Sequence, residues 1–181
     1  MNLVILEVLE RRGHLMVGGE PVTQLEHALQ CASLAEAAGA GDALIAAALL
    51  HDIGHLIGRF DKERLPQVDF SHERCGAEFL RALFGNEVAE PVRLHVDAKR
   101  YLCAVEPEYL ARLSPASRHT LDLQGGVFTP TQAQGFVERP YADDAIALRR
   151  WDDQARTPGM VTAPLRHFAA MVERVVSDVL V

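Results

Sequence analysis

The sequence is poor in cysteine, in cationic side chains and in long apolar runs, and each shortage removes a class of protein. Its three cysteines, Cys31, Cys75 and Cys103, are odd in number, lie far apart and form no CxxC pair. That argues against a disulfide framework and for reduced thiols in a cytoplasmic protein, where a free cysteine ordinarily serves as a small buried apolar side chain. Eighteen Lys and Arg against 25 Asp and Glu give a formal net charge of −7. Such a balance speaks against a nucleic-acid surface but not against a small acidic substrate, which responds to local charge. No uninterrupted apolar run approaches the roughly 20 residues that a bilayer span needs. The N-terminus carries Glu7 and Glu10 in its first turns and shows no basic start or small-residue cleavage site, so no signal peptide is expected. No segment alternates apolar and polar residues with the period of two of a half-buried strand, and repeats, low-complexity tracts and interdomain linkers are missing. The expectation is a soluble, cytoplasmic, all-α protein with one domain, 1–181, and enough apolar residues, 49% of the chain, for a sizeable core.

What is present is a succession of helical patterns. Asn2 to Arg12 places Leu3, Leu6 and Leu9 on one stripe, and Gly13, Gly18, Gly19 and Pro21 enforce a loop that holds Glu20. A helix from about Thr23 to Ala38 carries His27 and stops at Gly39. The run Ala43 to Leu50 has no polar face, so as a helix it must be surrounded by other helices. Asp42 is its expected N-cap, and Gly54 and Gly58 are expected to close it. The charged stretch Arg59 to Asp69, with Pro66, reads as a surface loop. Ser71 is expected to cap a helix that holds His72 and ends at Gly85; Asn86 starts the next, with His95 and Lys99, and Pro91 predicts a kink or a late start. Ser114-Pro115 and Thr129-Pro130 each read as an N-cap followed by proline at the first helical position, with the turn Gln124-Gly125-Gly126 between them. Tyr141 to Arg156 and about Pro164 to Leu180 complete the set, the last with a scaffold-like apolar face.

The central run delivers His51 and Asp52 side by side. A carboxylate there is disfavoured both by the helix C-terminus and by burial, so a Lys, an Arg or a metal ion must offset it. Six His and Asp residues sit within apolar helical pattern: His27, His51, Asp52, His72, His95 and Asp152. Bundles build metal sites from side chains that facing helices project inward. Four imidazoles and two carboxylates, with no thiolate, suit Fe, Mn, Co or Zn rather than Ca or Mg. Six ligands are too many for one ion that keeps an open position, yet they suffice for two if one carboxylate bridges. Asp52 is the natural bridge, with His27, His51 and Asp152 on one ion and His72 and His95 on the other. His55 lies four residues after His51, Lys99 four after His95 and Arg149 three before Asp152, while Ser117 and Thr120 share a helix face. Together they form a rim of donors suited to an oxyanion such as phosphate or phosphonate.

His27, the His51-Asp52 pair and Asp152 resemble the pattern of the HD-domain superfamily, most of whose members are metal-dependent phosphohydrolases, and His72 and His95 resemble the added ligands of its dinuclear branch. Further stretches are similar to the small mixed-valence diiron oxygenases of that superfamily that cleave the carbon-phosphorus bond of 1-hydroxyphosphonates. They are Gln24-Leu25-Glu26-His27, His72-Glu73, His95-Val96-Asp97-Ala98-Lys99-Arg100-Tyr101-Leu102, Ser117-Arg118-His119-Thr120-Leu121 with Gln124-Gly125-Gly126, and Arg149-Arg150-Trp151-Asp152. The resemblance implies an HD helical bundle with two iron ions in its core, consumption of O2, and release of phosphate and a carboxylic acid from a small organophosphonate with an amino or ammonio substituent. It also implies that His55, Lys99, Ser117, Thr120 and Arg149 hold the phosphonate group, with His55 and Lys99 the candidates for direct catalytic roles, and that Glu20 contacts the substrate amine. The chain departs from the family at Val17, where the family carries a tyrosine able to occupy an iron coordination site until substrate arrives. The rival is a phosphohydrolase that uses the same cage with Mn, Co or Zn on a nucleotide or small phosphate ester, and a third possibility is a non-catalytic ligand-sensing scaffold. A monomer and a homodimer are both compatible with the sequence.

Overall fold

A computed structural model describes residues 4–18, 20–57 and 71–179, with side chains through residue 176. Gly19, Gly58 and the expected surface loop from Arg59 to Asp69 lie outside the described residues, as do Leu3 and Leu180. The elements are α1 (Val4–Arg12), α2 (Gln24–Ala37), α3 (Asp42–Leu50), α4 (Ile53–Ile57), α5 (His72–Phe84), α6 (Asn86–Val105), α7 (Pro107–Arg112), α8 (Pro115–Leu123), α9 (Pro130–Val137), α10 (Ala142–Gln154) and α11 (Leu165–Val179). Among the described residues the only β pairing is an isolated bridge between Met16 and Thr23, so the fold is an all-α bundle. No described helix is long and apolar enough to cross a membrane.

The helix without a polar face, α3, is the axis. Ile45 through Leu50 are all buried, and α2, α6, α10 and α11 pack around them. The second long organiser is α6. It reaches into the main core through Val88, Ala89 and Val92, meets α9 and α10 through Leu94 and Ala98, and through Leu102 and Cys103 closes a third cluster with Tyr109 of α7, with Leu113 and with Leu121 of α8. His95 and Lys99 therefore sit on a helix held from three sides.

Local chemistry sets where each helix begins. Thr23 Oγ1 accepts from the Glu26 amide at 3.2 Å while Glu26 Oε2 accepts from the Thr23 amide at 2.8 Å, a reciprocal cap that fixes the start of α2 and the position of His27 in its first turn. Ser114 and Thr129 cap α8 and α9, with Pro115 and Pro130 following at the first helical position.

Several boundaries differ from the sequence-based expectation. Gly41 is the N-cap of α3, and Asp42 is its first residue, with a carboxylate that accepts from Arg174 Nε of α11 at 2.8 Å. Gly54 does not close that helix. It lies inside α4, where an added Cβ would fall 2.0 Å from the His72 carbonyl oxygen, so glycine is required by the neighbouring backbone and not by a turn. His51 and Asp52 form the turn between α3 and α4, and Asp52 accordingly stands just before a helix start as well as after a helix end. Ser71 occupies the cap position of α5 without a side-chain capping bond, and Pro91 is accommodated inside α6. The buried stripe of α1 is Ile5 and Leu9, with Leu6 at its edge, and the short α7 was not anticipated.

Candidate metal centre and its pocket

Five segments bring the six candidate ligands together: His27 from α2, His51 and Asp52 from the α3–α4 turn, His72 from the first residue of α5, His95 from α6 and Asp152 from α10. All four rings are buried. They meet as two couples, His27 Nε2 to His51 Nε2 at 3.2 Å and His72 Nε2 to His95 Nε2 at 3.2 Å. Two donors each about 2.1 Å from one ion lie about 3.0 Å apart at a right angle and about 3.4 Å apart at the tetrahedral angle, so both couples have the separation of neighbouring ligands. Asp152 Oδ1 joins the first couple, 3.3 Å from His27 Nε2 and 4.0 Å from His51 Nε2. Asp52 stands between the couples: Oδ1 is 3.5 Å from His72 Nε2 and 3.6 Å from His51 Nε2, and Oδ2 is 3.8 Å from His27 Nε2.

The tautomers make these donors fit a cation. Nδ1 of His27 donates to Ala155 O at 2.7 Å, Nδ1 of His51 to Ala48 O at 2.9 Å and Nδ1 of His95 to Val92 O at 2.7 Å. A proton held on Nδ1 leaves Nε2 with a lone pair aimed inward. His27 and His51 thus turn two acceptors toward each other, an arrangement that a divalent ion satisfies. Burial, reinforced by neighbouring imidazoles, holds His72 well below the usual range and pushes His95 down to about 4, so both are neutral and able to ligate. Burial works against ionisation of Asp52 and Asp152, but it is overcome by the surrounding imidazoles, His51 foremost, at Asp52 and by Arg149 at Asp152; both stay anionic. His27 is the exception: burial lowers it, yet the Cys31 sulfur and the Asp152 carboxylate carry it upward, so a proton competes with a cation for its Nε2 lone pair.

Two groups have the convergence a metal requires, His27 with Cys31 and His51, and Asp52 with His55 and His72. Cys31 was expected only to pack. It is buried, but its Sγ lies 3.9 Å from His27 Nε2; burial raises its thiol and the neighbouring His27 works against that rise.

Beside the donors is a cavity of about 200 Å³, walled by Val17, Gly18, His55, Val96, Lys99, Ala116, Ser117, Thr120, Gln124, Arg149 and Arg156 together with Asp52, His72, His95 and Asp152. Lys99 is 2% exposed and donates to Thr120 Oγ1 at 3.0 Å and to Ser117 O at 3.4 Å. Its burial, with Arg149 adding like-charge repulsion, pushes its pKa down to about 8. Arg149, equally buried, pairs with Asp152 Oδ2 at 2.7 Å, donates to Tyr109 OH at 3.1 Å, approaches Ser117 Oγ at 3.5 Å and holds Asp153. Burial disfavours its charge, but Asp152 and Asp153 more than restore it. The His55 ring is half-exposed and stacks on His72 at 4.0 Å.

The five residues that the resemblance assigned to the phosphonate, His55, Lys99, Ser117, Thr120 and Arg149, all line this cavity. Glu20 does not; its Oε1 accepts from Ser114 Oγ at 2.7 Å and from Arg156 Nη1 at 2.5 Å. Sequence reasoning missed Arg156, although its spacing four residues after Asp152 was the same signal that had drawn attention to Lys99. It also missed a role for Gln124, whose buried Oε1 has no hydrogen-bond partner in the cavity wall.

A helical bundle that gathers imidazoles, a thiol and a carboxylate into two adjacent metal-binding groups has a site consistent with a dinuclear metal centre. Residues 25–153 match the HD domain, and the chain belongs to the HD-domain family of metal-dependent enzymes. It is 44% identical over 170 residues to a glycine-betaine-forming 1-hydroxy-2-(trimethylamino)ethylphosphonate dioxygenase of Leisingera caerulea, covering 93% of this chain and 87% of that protein. It is also 46% identical over 156 residues to a hydroxymethylphosphonate dioxygenase of Gimesia maris, covering 85% of this chain and 78% of that one.

Proposed function

We propose that this protein is an iron-dependent oxygenase that cleaves the C–P bond of a small 1-hydroxyphosphonate, yielding phosphate and a carboxylic acid. The observation that carries the proposal is the junction of two features: the paired donor groups around Asp52 open directly onto a cavity with a polar wall of Lys99, Arg149, Ser117 and Thr120. Two buried cations and two hydroxyls beside a metal centre suit a compact dianion with three oxygens. That both relatives are named as hydroxyphosphonate dioxygenases supports the same chemistry.

His27, His51 and Asp152 would hold one iron and His72 and His95 the other, with Asp52 shared. When bound, the ions would bind O2 and the substrate oxygens and relay to O2 the electrons that the substrate gives up as its C–P bond is cleaved. The remaining work belongs to the chain. Lys99 and Arg149 neutralise the phosphonate, and Ser117 and Thr120 orient its oxygens, so the hydroxyl-bearing carbon is presented to the ions in one pose. Asp153 and Tyr109 keep the Arg149 guanidinium fixed while it does so. The substrate is held as a small molecule in the cytoplasm by one domain that needs no nucleic acid or membrane.

The test is to load the protein anaerobically with iron(II), admit O2 with hydroxymethylphosphonate or a 1-hydroxyethylphosphonate, and follow oxygen uptake, phosphate release and the mixed-valent paramagnetic signal. Stoichiometric oxygen uptake with phosphate release is expected. Phosphate release that proceeds equally without O2, or with Mn or Zn on a phosphate ester, would assign the cage to a hydrolase instead.

A further inference from the structure

We propose that the preferred substrate carries no cationic group on its hydroxyl-bearing carbon, and that Arg156 and Glu20 are the pair that sets this preference. The inference rests on the hydroxyphosphonate reading and narrows it. A substrate ammonium needs a carboxylate to receive it. The carboxylates in the cavity wall are Asp52 and Asp152, both assigned to the ions. Glu20 is the nearby acid that could serve, but its side chain is only 9% exposed and its Oε1 is already taken by Ser114 Oγ at 2.7 Å and by Arg156 Nη1 at 2.5 Å. Arg156 itself is on the cavity wall, with Nη2 on Asp152 Oδ1 at 3.0 Å and Nε 3.3 Å from the Asp152 carbonyl oxygen.

The face that would meet a substituent therefore shows a guanidinium in front of its carboxylate. Arg149 and Arg156 take opposite oxygens of Asp152, so the cavity is cationic on both sides of that ligand. An incoming ammonium is repelled there. Turning Glu20 toward it would also strip a largely buried guanidinium of a partner, which costs more than an exposed ion pair returns. Val17, Gly18, Val96, Ala116 and Gln124 supply the rest of the wall, which carries no further carboxylate; the one unpaired acceptor there is the neutral Gln124 Oε1, and the wall suits hydrogen or a small uncharged group. On this reading Glu20 serves to hold Arg156 instead of meeting a substrate amine.

The experiment ranks four probes on the iron-loaded protein, hydroxymethylphosphonate, 1-hydroxyethylphosphonate, 2-amino-1-hydroxyethylphosphonate and its trimethylammonio analogue, by anaerobic calorimetry and by kcat/KM for oxygen uptake. The two uncharged-substituent compounds are expected to lead the two cationic ones by at least tenfold in both readouts. In Arg156→Gln, which frees the Glu20 carboxylate of its guanidinium partner, the ratio is expected to move at least tenfold toward the cationic probes, and in a variant with both Arg156→Gln and Glu20→Gln to collapse toward unity. Because Arg156 touches a candidate ligand, ratios between probes on the same preparation are compared rather than absolute rates. Equal or tighter binding of the cationic probes by the unaltered protein overturns the inference while leaving the oxygenase reading in place. A protein that binds the probes in the expected order but turns none over with O2 retains the inference and refutes the oxygenase reading; one that binds none refutes both.

Discussion

Lys99 is a cation placed where cations are penalised, and that makes it a measurable part of the pocket. With its pKa pushed down to about 8, it is charged below that pH and increasingly neutral above it. Binding of a phosphonate dianion needs the charged form, so KM is expected to rise as pH passes 8, and Lys99→Met should remove that rise while lifting KM by about 10–100-fold, the loss of one charge-assisted hydrogen bond. Stability runs the other way. The unfolded lysine keeps its proton to about 10.5, so between the two values the unfolded chain binds more protons and this group's contribution to stability grows with pH. A KM profile and thermal unfolding across pH 7–10 check both signs. His72→Ala is expected to reduce bound metal from two equivalents to one and turnover by at least roughly 100-fold with helical content retained, measured by elemental analysis and circular dichroism. The six donors could be found in the sequence because imidazole and carboxylate are out of place on apolar helix faces. Arg156 with Glu20 could not, since each looks like an ordinary charged residue until the fold brings positions 136 apart into one ion pair.

At the scale of elements, the informative failure is Gly54. A glycine after an apolar helix reads as a stop signal whether its own backbone or a neighbour's requires it, and one dimension does not distinguish the two. Here the neighbour requires it: α4 and the start of α5 touch at the His72 carbonyl. Gly54→Ala is expected to cost about 1–3 kcal/mol through overpacking and to lower Tm by roughly 2–12 °C. It should also weaken metal retention by displacing His72, read from the metal content of the purified variant. The caps of α8 and α9 were legible because a hydroxyl followed by proline is a local signal, whereas Asp42 and Ser71 carry the same chemistry at helix starts without making a capping bond. Thr23→Ala should cost about 1 kcal/mol in unfolding free energy, measured by denaturant titration. The break between α3 and α4 was not legible, because the apolar run and the His51-Asp52 turn carry no proline or glycine between them.

For the molecule as a whole, the all-α architecture followed from the absence of strand periodicity together with one helix that had to be surrounded. The convergence of five segments on Asp52 had to be seen in three dimensions. A metal held at that convergence would tie five segments together and so act as a structural component. Removing it with a chelator should lower Tm by roughly 5–10 °C, as loss of ligands that bind only the folded chain does, and readdition of iron(II) should restore it in a scanning calorimeter. The donors begin at His27 and are complete only at Asp152, in a chain of 181 residues. No nascent chain on the ribosome holds the full set until residue 152 has been made and α10 has folded against α2 and α6, so full metallation follows synthesis of the whole helical set. Which ion arrives is then decided by what the surrounding compartment supplies to a completed protein, and expression conditions become part of the enzyme's composition.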